Sequence, residues 1–437
     1  MSCKREIKAA VLGLTIGLSA ALFTARADYL KMPARGSGAL PPLLSQTGAF
    51  ADTAKMIPSA GLVPYDLIVP FWSDGAAKQR WIAPAAAKIK FQSAGEWGFP
   101  AGTVFVKTFE LPIDERHPEM KRRLETRLLV LDAEGGVYGA TYKWRADNRD
   151  ADLLATNLSE DIVVQTAGGP RRQTWYYPSR QDCLTCHTAR AGLVLGVKTR
   201  QLNRDFTYPS GQRENELRAW RGRGLFEEAP TDEQLAAAPK LAAGNETGRS
   251  LEDRARSYLD ANCAHCHRPG GTVANFDARF ETPLEQQNLI GGQILIDEGV
   301  DNARVITPHD VWRSLALMRA GSVDAIKMPP LAHNEVDGAG MALLRQWILS
   351  MPGREVVPPP VISPGQGAYS QPVDVTLRDE EPGAVIRYTV DGSLPTSSDT
   401  VYEKPIHLTG PTILRAKAFK PGFTKSITAQ QVFVIGN

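Results

Sequence analysis

Cysteine is scarce in this chain, with five among 437 residues. One of them, Cys3, falls in a leading segment expected to be removed, and the other four are committed to a repeated motif, so no mature cysteine remains for a disulfide or a catalytic thiol. A charge excess of either sign is also missing. Fifty Lys and Arg face 48 Asp and Glu, for a net charge of +2. That argues against nucleic acid, which usually needs a basic patch, and gives no sign of strong global steering of a charged partner. Beyond the leader, no run is long and apolar enough to cross a bilayer. No acid–base dyad, nucleophile triad or phosphate loop can be read. The hydrophobic content, 43 %, is ordinary for a globular protein of two to four domains.

What is present is a pentad written twice: Cys183-Leu-Thr-Cys186-His187 and Cys263-Ala-His-Cys266-His267. Cys-x-x-Cys-His is the attachment signature of c-type haem. The two thiols form thioethers to the porphyrin, and the adjacent histidine supplies a proximal iron ligand. The rival reading is a zinc site built from two Cys-x-x-Cys knuckles. Zinc ribbons separate their knuckles by about 15–20 residues, whereas Cys186 and Cys263 are 77 positions apart (263−186). Zinc does not require a histidine after each second cysteine either. The expectation is two covalently bound haem c groups, with iron held by His187 and His267.

Residues 1–27 read as a secretory signal. Lys4, Arg5 and Lys8 precede the nearly uncharged run Ala9 to Ala25, and Ala25-Arg26-Ala27 is a small-x-small cleavage site before Asp28. An uncleaved anchor is the alternative, but the run is short for a span of about 20 residues. Export suits the haem reading, because thiols are managed in an oxidising compartment. The expected location is the periplasm, with cleavage after Ala27.

The expected fold class is multidomain α+β. Residues 28 to about 60 are rich in Pro, Gly and Ala and read as an irregular lead-in. Strand patterns follow over 103–109, 125–131 and 136–144, with Asp132-Ala-Glu-Gly-Gly136 as a hairpin turn. A β-rich, sandwich-like domain carrying the first pentad is expected over 28–245. Trp175-Tyr-Tyr-Pro178 could cover a porphyrin face or belong to the core. Weak helical signals lie at 214–224 and 231–241.

Ser250-Leu-Glu-Asp253 reads as a capping start for a helix that runs into Cys263. Pro308 is expected to open a further helix bearing Trp312, Leu315 and Met318, and Met341, Leu344, Trp347, Ile348 and Met351 form another apolar face. Residues 353–361 form a Pro-rich, stiff linker. Alternating strands then fill a β-sandwich module over 362–437.

These residues carry three resemblances. A helix ending in Cys-x-x-Cys-His, with an aromatic-bearing helix at the other end, resembles the class I cytochrome c fold over about 246–352. The stretch Tyr388-Thr-Val-Asp-Gly-Ser-Leu-Pro-Thr396, with Tyr402-x-x-Pro405-Ile406 and Ala416-Lys-Ala-Phe419, resembles the immunoglobulin-like domain at the C-terminus of chitobiases and β-hexosaminidases. The catalytic machinery of those enzymes is absent, so only the fold is implied. Tyr65-Asp-Leu-x-x-Pro70-Phe-x-Ser73-Asp74, Phe99-Pro-x-Gly-Thr103, Tyr177-Pro-Ser-Arg180 and Arg200-Gln-Leu-Asn203 resemble a family of bacterial dihaem c-type cytochromes over roughly 40–352. That resemblance implies haem chemistry and names no substrate.

The two irons differ in what the sequence offers them. Met328, followed by Pro329-Pro330, lies 61 positions after His267 (328−267). Two prolines stiffen the loop that presents its sulfur, and His/Met ligation raises the potential. Met318, on an apolar helical face, reads as core. Residues 188–262 contain no Met and no His, so His187 has no ordinary partner downstream. His117, Met120 or Met56 could fold across, His309 or His333 could reach over, or the site could be open or weakly held by Tyr, Lys or water. His265, inside the second pentad, need not bind iron, and His407 reads as remote.

The leading expectation is one-electron transfer to a redox partner protein. A dihaem enzyme with an open first iron is the alternative, its catalytic residues unknown. The C-terminal module could dock a glycan or a protein through Tyr402 or Phe423, although a packed core suits both side chains better.

Overall fold

A computed structural model describes residues 30–272 and 275–436. The expected signal segment lies outside the described residues. The described chain is β-rich with few helices.

The first unit opens with a small hairpin, β1 (Phe50–Asp52) and β2 (Ile57–Pro58). Six strands then form one antiparallel sheet in chain order: β3 (Val63–Tyr65), β4 (Ala77–Ala83), β5 (Val104–Pro112), β6 (Lys121–Leu131), β7 (Val137–Trp144) and β8 (Ala151–Leu153). The expected turn joins β6 to β7, with the Asp132 carboxylate accepting the Gly136 and Glu134 N–H groups at 2.8 and 3.0 Å.

Side chains alternate across a strand. In β5, Val104, Val106 and Thr108 share one face, and Phe105, Lys107 and Phe109 share the other. The first face is covered by the Pro/Gly-rich lead-in, where Leu44, Phe50, Met56 and Leu62 pack against Trp81, Val106, Leu128 and Tyr142. The lead-in is therefore a structural layer rather than a loose approach: its backbone is irregular, but its few apolar residues fill the sheet.

The opposite face is divided. At one end lies the hairpin of β9 (Leu158–Thr166) and β10 (Gly169–Tyr177), whose Ile162, Val164, Trp175 and Tyr177 meet Phe109, Leu111 and Leu124. Trp175 and Tyr177 are thus core residues. At the other end Trp97, Trp220 and Phe226 form an aromatic cluster. Between the two lies a cavity.

Helix α1 (Arg180–Cys186) follows β10 directly. After it come α2 (Thr199–Leu202), the two-stranded pair β11 (Asp205–Thr207) and β12 (Arg213–Asn215), α3 (Glu216–Gly222) and α4 (Asp232–Ala236). Asn215 and Thr231 cap α3 and α4, so the helices begin at Glu216 and Asp232, and both end short of the periodic signal.

The second unit contains α5 (Leu251–Asn262), α6 (Leu315–Ala320) and α7 (Gly338–Ser350), joined by long irregular segments around a core of Leu259, Leu289, Ile306, Leu344 and Trp347. Ser250 caps α5 by accepting the Asp253 N–H. Helices α5 and α7 pack closely at Gly340, where an added Cβ would lie 2.4 Å from the Tyr258 ring.

Pro308 does not open a helix. Asp310 instead accepts the N–H groups of Trp312 and Arg313 and pairs with the Arg313 guanidinium at 2.7 Å, holding a turn, so that α6 begins only at Leu315.

The last unit is a β-sandwich. One sheet orders β13 (Val361–Ser363), β15 (Val373–Arg378) and β18 (Ile406–Leu408). The other orders β14 (Gly367–Tyr369), β20 (Ala429–Ile435), β19 (Thr412–Phe419), β16 (Val385–Thr389) and β17 (Thr400–Val401). Leu377, Leu414, Ala416 and Phe433 lie buried in the core, and Tyr402 and Phe423 pack against it rather than forming an open platform.

The Pro-rich linker is docked on this module. Val357 is buried in its core and donates to the Thr424 carbonyl, while Thr424 donates back to Glu355. Asp301 of the second unit holds the Lys417 ammonium at 2.8 Å and the Thr428 N–H at 2.7 Å, so the module is fastened to that unit.

Candidate functional site

Helix α1 is set by a reciprocal cap. Ser179 accepts the Asp182 N–H, and Asp182 accepts the Ser179 N–H at 2.8 Å and the Tyr176 hydroxyl at 2.8 Å. Arg180 reaches back to the Gly36 carbonyl. These contacts lay Cys183 against β7. A Cβ on Gly139 would lie 2.4 Å from Cys183 Sγ, so the thiol seats itself where only glycine leaves room. His187 closes the helix with its Nδ1 at 2.7 Å from the Leu193 carbonyl. That bond fixes the ring and leaves Nε2 free to serve as a ligand.

Cys183, Cys186 and His187 line the cavity on the sheet. Its walls are part apolar, with Leu67, Val69, Phe71, Phe105, Phe109 and Leu129, and part cationic. Some of these cations are neutralised. Lys198 pairs with Asp260 at 2.8 Å, Arg268 with Glu96 at 2.8 Å, Arg80 with Asp66 at 2.5 Å, and Arg127 with Glu125.

Two lysines are not. Lys78 donates only to the Phe71 carbonyl, at 2.6 Å. Lys107 has no carboxylate partner among the described residues, and burial first, then Arg127 and Arg80, brings its pKa down to about 7. The Arg127 Nε is also buried without an acceptor.

Enclosed cations without counter-charge cost several kcal/mol each, in rough terms. An anionic, largely apolar guest would supply the missing counter-charge. A porphyrin with two propionates, tethered at Cys183 and Cys186, fits that description.

The second pentad sits at the end of α5. Cys263 is its C-cap and packs into the helical core, and burial pushes that thiol up to about 12. The His267 N–H is fixed by the Cys263 carbonyl, and the His267 ring stacks on Phe276 with centroids 4.2 Å apart and an interplanar angle of 16°. Its Nδ1 is buried and has no hydrogen-bond partner among the described residues. Burial, then Arg319, lowers the His267 pKa to about 4, so the imidazole is neutral and available as a ligand.

Arg319 also organises the loop of Met328. Its carbonyl accepts the Met328 N–H at 3.0 Å, and its Nε donates to the Ile326 carbonyl at 2.8 Å. The Met328–Pro329 peptide is cis. Arg319 thus braces the Met328 loop, and the core around Cys263 is apolar. Met328 does not line the cavity at Cys183.

The partners considered for His187 are mostly elsewhere. His117 is exposed beside Glu119, and Met120 is exposed. Met56 lies in the core on the far face of the sheet. His309 bonds the Met351 carbonyl and Glu355, and His407 bonds Asp374 on the surface of the last unit. His333 is buried, with no hydrogen-bond partner for its ring nitrogens among the described residues, and does not line the cavity. The histidine that does line it beside His187 is His265.

The motif residues 65–74 and 200–203 hold this arrangement together. Asp66 pairs with Arg80 and Arg204, and Gln201 both accepts from and donates to the Val69 backbone, at 2.9 and 2.7 Å. Asp74 accepts the N–H groups of Asn334 and Glu335 at 2.6 and 2.9 Å, and Trp72 donates to the Glu335 carbonyl at 2.7 Å. The two units are therefore clasped across the cavity.

Among the described residues, no group of three or more His, Cys, Asp or Glu side chains is arranged to hold a metal ion. None of the described helices is long and apolar enough to cross a membrane.

The sandwich of the last unit has a recognised family. Residues 364–430 match the family model of the chitobiase/β-hexosaminidase C-terminal domain. This C-terminal domain explains the two-sheet topology of that unit and leaves the rest of the chain uncovered. No curated protein and no solved structure matches the chain.

Proposed function

We propose that this chain is an exported dihaem c-type cytochrome that passes single electrons to a redox partner protein in the periplasm. The observation that carries the proposal is the cavity beside Cys183, Cys186 and His187, with Lys78 and Lys107 lacking anionic partners. Bound there, haem supplies a metal that changes charge by one electron at a potential set by its ligands and surroundings.

The chain's own residues supply the rest. His187, oriented by the Leu193 carbonyl, presents one nitrogen. Lys78 and Lys107 hold negative charge and favour the more reduced state. Phe71, Phe105 and Phe109 exclude water. At the second pentad, His267 presents a neutral imidazole and Met328 offers a soft sulfur from a loop that Arg319 clamps. A cytochrome c-like role for the unit over 246–352 is supported by α5 running into Cys263 and by the apolar packing of α7 beside it. The C-terminal domain, carbohydrate-related by family, serves in this reading as a docking module.

The test is a pyridine haemochrome count and ferric-state spectroscopy on the full chain, exported from cells that mature c-type proteins. Two haems per chain that survive acidic organic extraction, with no thiol titrating, are expected. A colourless product, or four alkylatable thiols, overturns the proposal. A high-spin iron that turns over peroxide would replace electron transfer with the enzyme reading.

A further inference from the structure

The second pentad has two sides. Cys263 belongs to the helical core that also holds Phe276 and Leu317. Ala261, His265 and Arg268, spaced four and three apart along the chain, instead line the cavity of the first pentad. The attachment turn of one site is thus a wall of the other.

Arg268 fixes this placement. Its guanidinium donates to the Glu96 carboxylate at 2.8 Å, to the Arg190 carbonyl at 3.0 Å, three residues after His187, and to its own turn at Ala264 at 2.5 Å. His187 and His265 line the same cavity. The His265 ring, 9 % exposed, is held edge-on to Phe71 with centroids 5.5 Å apart, and Phe71 lines the same cavity.

We propose that His265 is the second axial ligand of the iron at His187, so that the x position of one attachment motif ligates the haem of the other. This rests on the haem reading above. Rival donors in the cavity are otherwise engaged or on a different wall. The Tyr176 hydroxyl donates to Asp182, and the Lys78 ammonium donates to the Phe71 carbonyl. Lys107 stands on the sheet over the Phe109 ring, 5.3 Å from its centroid, among the cations assigned to the propionates. His265 enters from the opposite unit, and no hydrogen bond among the described residues engages its ring.

The first iron is then closed, with two nitrogen ligands, which disfavours peroxide chemistry there. The two haems are also joined through one peptide link, from His265 to Cys266, which gives a short covalent route for an electron between them.

The experiment uses the full chain matured with haem, beginning with the haem count. A count below two in the wild type defeats the haem reading itself, and that failure is distinguishable from a failure of His265 ligation. With two haems present, ferric EPR and near-infrared magnetic circular dichroism are recorded for the wild type, His265→Ala, His265→Met and Lys107→Ala. One bis-nitrogen and one His/Met low-spin iron are expected in the wild type. His265→Ala should convert one of the two irons to a high-spin form that binds cyanide or imidazole, and added imidazole should restore its low-spin spectrum. His265→Met should yield a second sulfur-to-iron band, and Lys107→Ala should leave both irons low-spin. The proposal is overturned if His265→Ala retains two haems and both irons stay low-spin with unchanged spectra, or if Lys107→Ala opens the iron instead.

Discussion

The same five-residue motif occurs twice in this chain and meets two different environments. The first pentad rides on a short capped helix against a β-sheet, facing a cavity with unpaired lysines. The second ends a longer amphipathic helix and faces an apolar core with one nearby arginine. Under the proposed reading, the motif would fix covalent attachment and one imidazole in both places. What sets the potential would then come from the rest of the fold: charge and the proposed second imidazole at the first site, sulfur and apolar packing at the second.

The largest expected effect breaks the comparison outright. Gly139→Leu puts side-chain atoms where Cys183 Sγ lies, since even a Cβ would approach to 2.4 Å. The haem count should fall from two to one, with the His/Met spectrum intact. A count that stays at two would mean that Cys183 is not constrained by β7.

Next in size, Met328→His exchanges a soft sulfur for a nitrogen. The potential of the second site should fall by roughly a hundred millivolts or more in a spectroelectrochemical titration, with the first unmoved. A shift at both sites would deny that the two environments are separate. Lys107→Met removes one enclosed positive charge from the first cavity, so the first potential should drop by roughly tens of millivolts while the second stays put.

Much of this contrast is legible in the sequence, and the missing part has a physical cause. The pentads, the hairpin turn at 132–136, helix α5 and the C-terminal sandwich are local patterns and read directly. Lys107 sits in Val-Phe-Val-Lys-Thr-Phe, where alternation puts it on the face of Phe105 and Phe109 but does not show what stands opposite; part of the facing cavity wall comes from residues 260–268, far away in the sequence. The same separation hides His265. Within its own pentad it is a spacer position, and it shares a cavity with His187 only because the second unit meets the first there. The clue available is chemical: a histidine occupying a position the motif leaves free, in a chain with no other Met or His between residues 188 and 262. The Pro308 turn is hidden for a similar reason, because Asp310 and Arg313 close a local pair that competes with helix.

The smallest expected effect concerns how the two sites are buttressed. The C-terminal domain is tied to the second unit through Asp301, whose carboxylate holds Lys417 and the Thr428 N–H. Burial alone would raise the Asp301 pKa, but the Lys417 ammonium, the Thr428 N–H and Arg313 outweigh it and hold the carboxyl below the ordinary value. A depressed folded-state pKa means the contact contributes fully above the unfolded carboxylate pKa near 3.8, and is lost as pH falls through the lower folded value. Asp301→Asn keeps the shape and removes the charge, so Lys417 is left half-satisfied in a buried place. Stability near neutral pH should fall by about 1–3 kcal/mol, and the variant should lose less stability than the parent on further acidification. Thermal unfolding followed at pH 7 and pH 3 checks both the size and the sign. If the first-site spectrum changes while the second does not, the C-terminal domain supports the wrong site for this account, and the separation drawn between the two pentads does not hold.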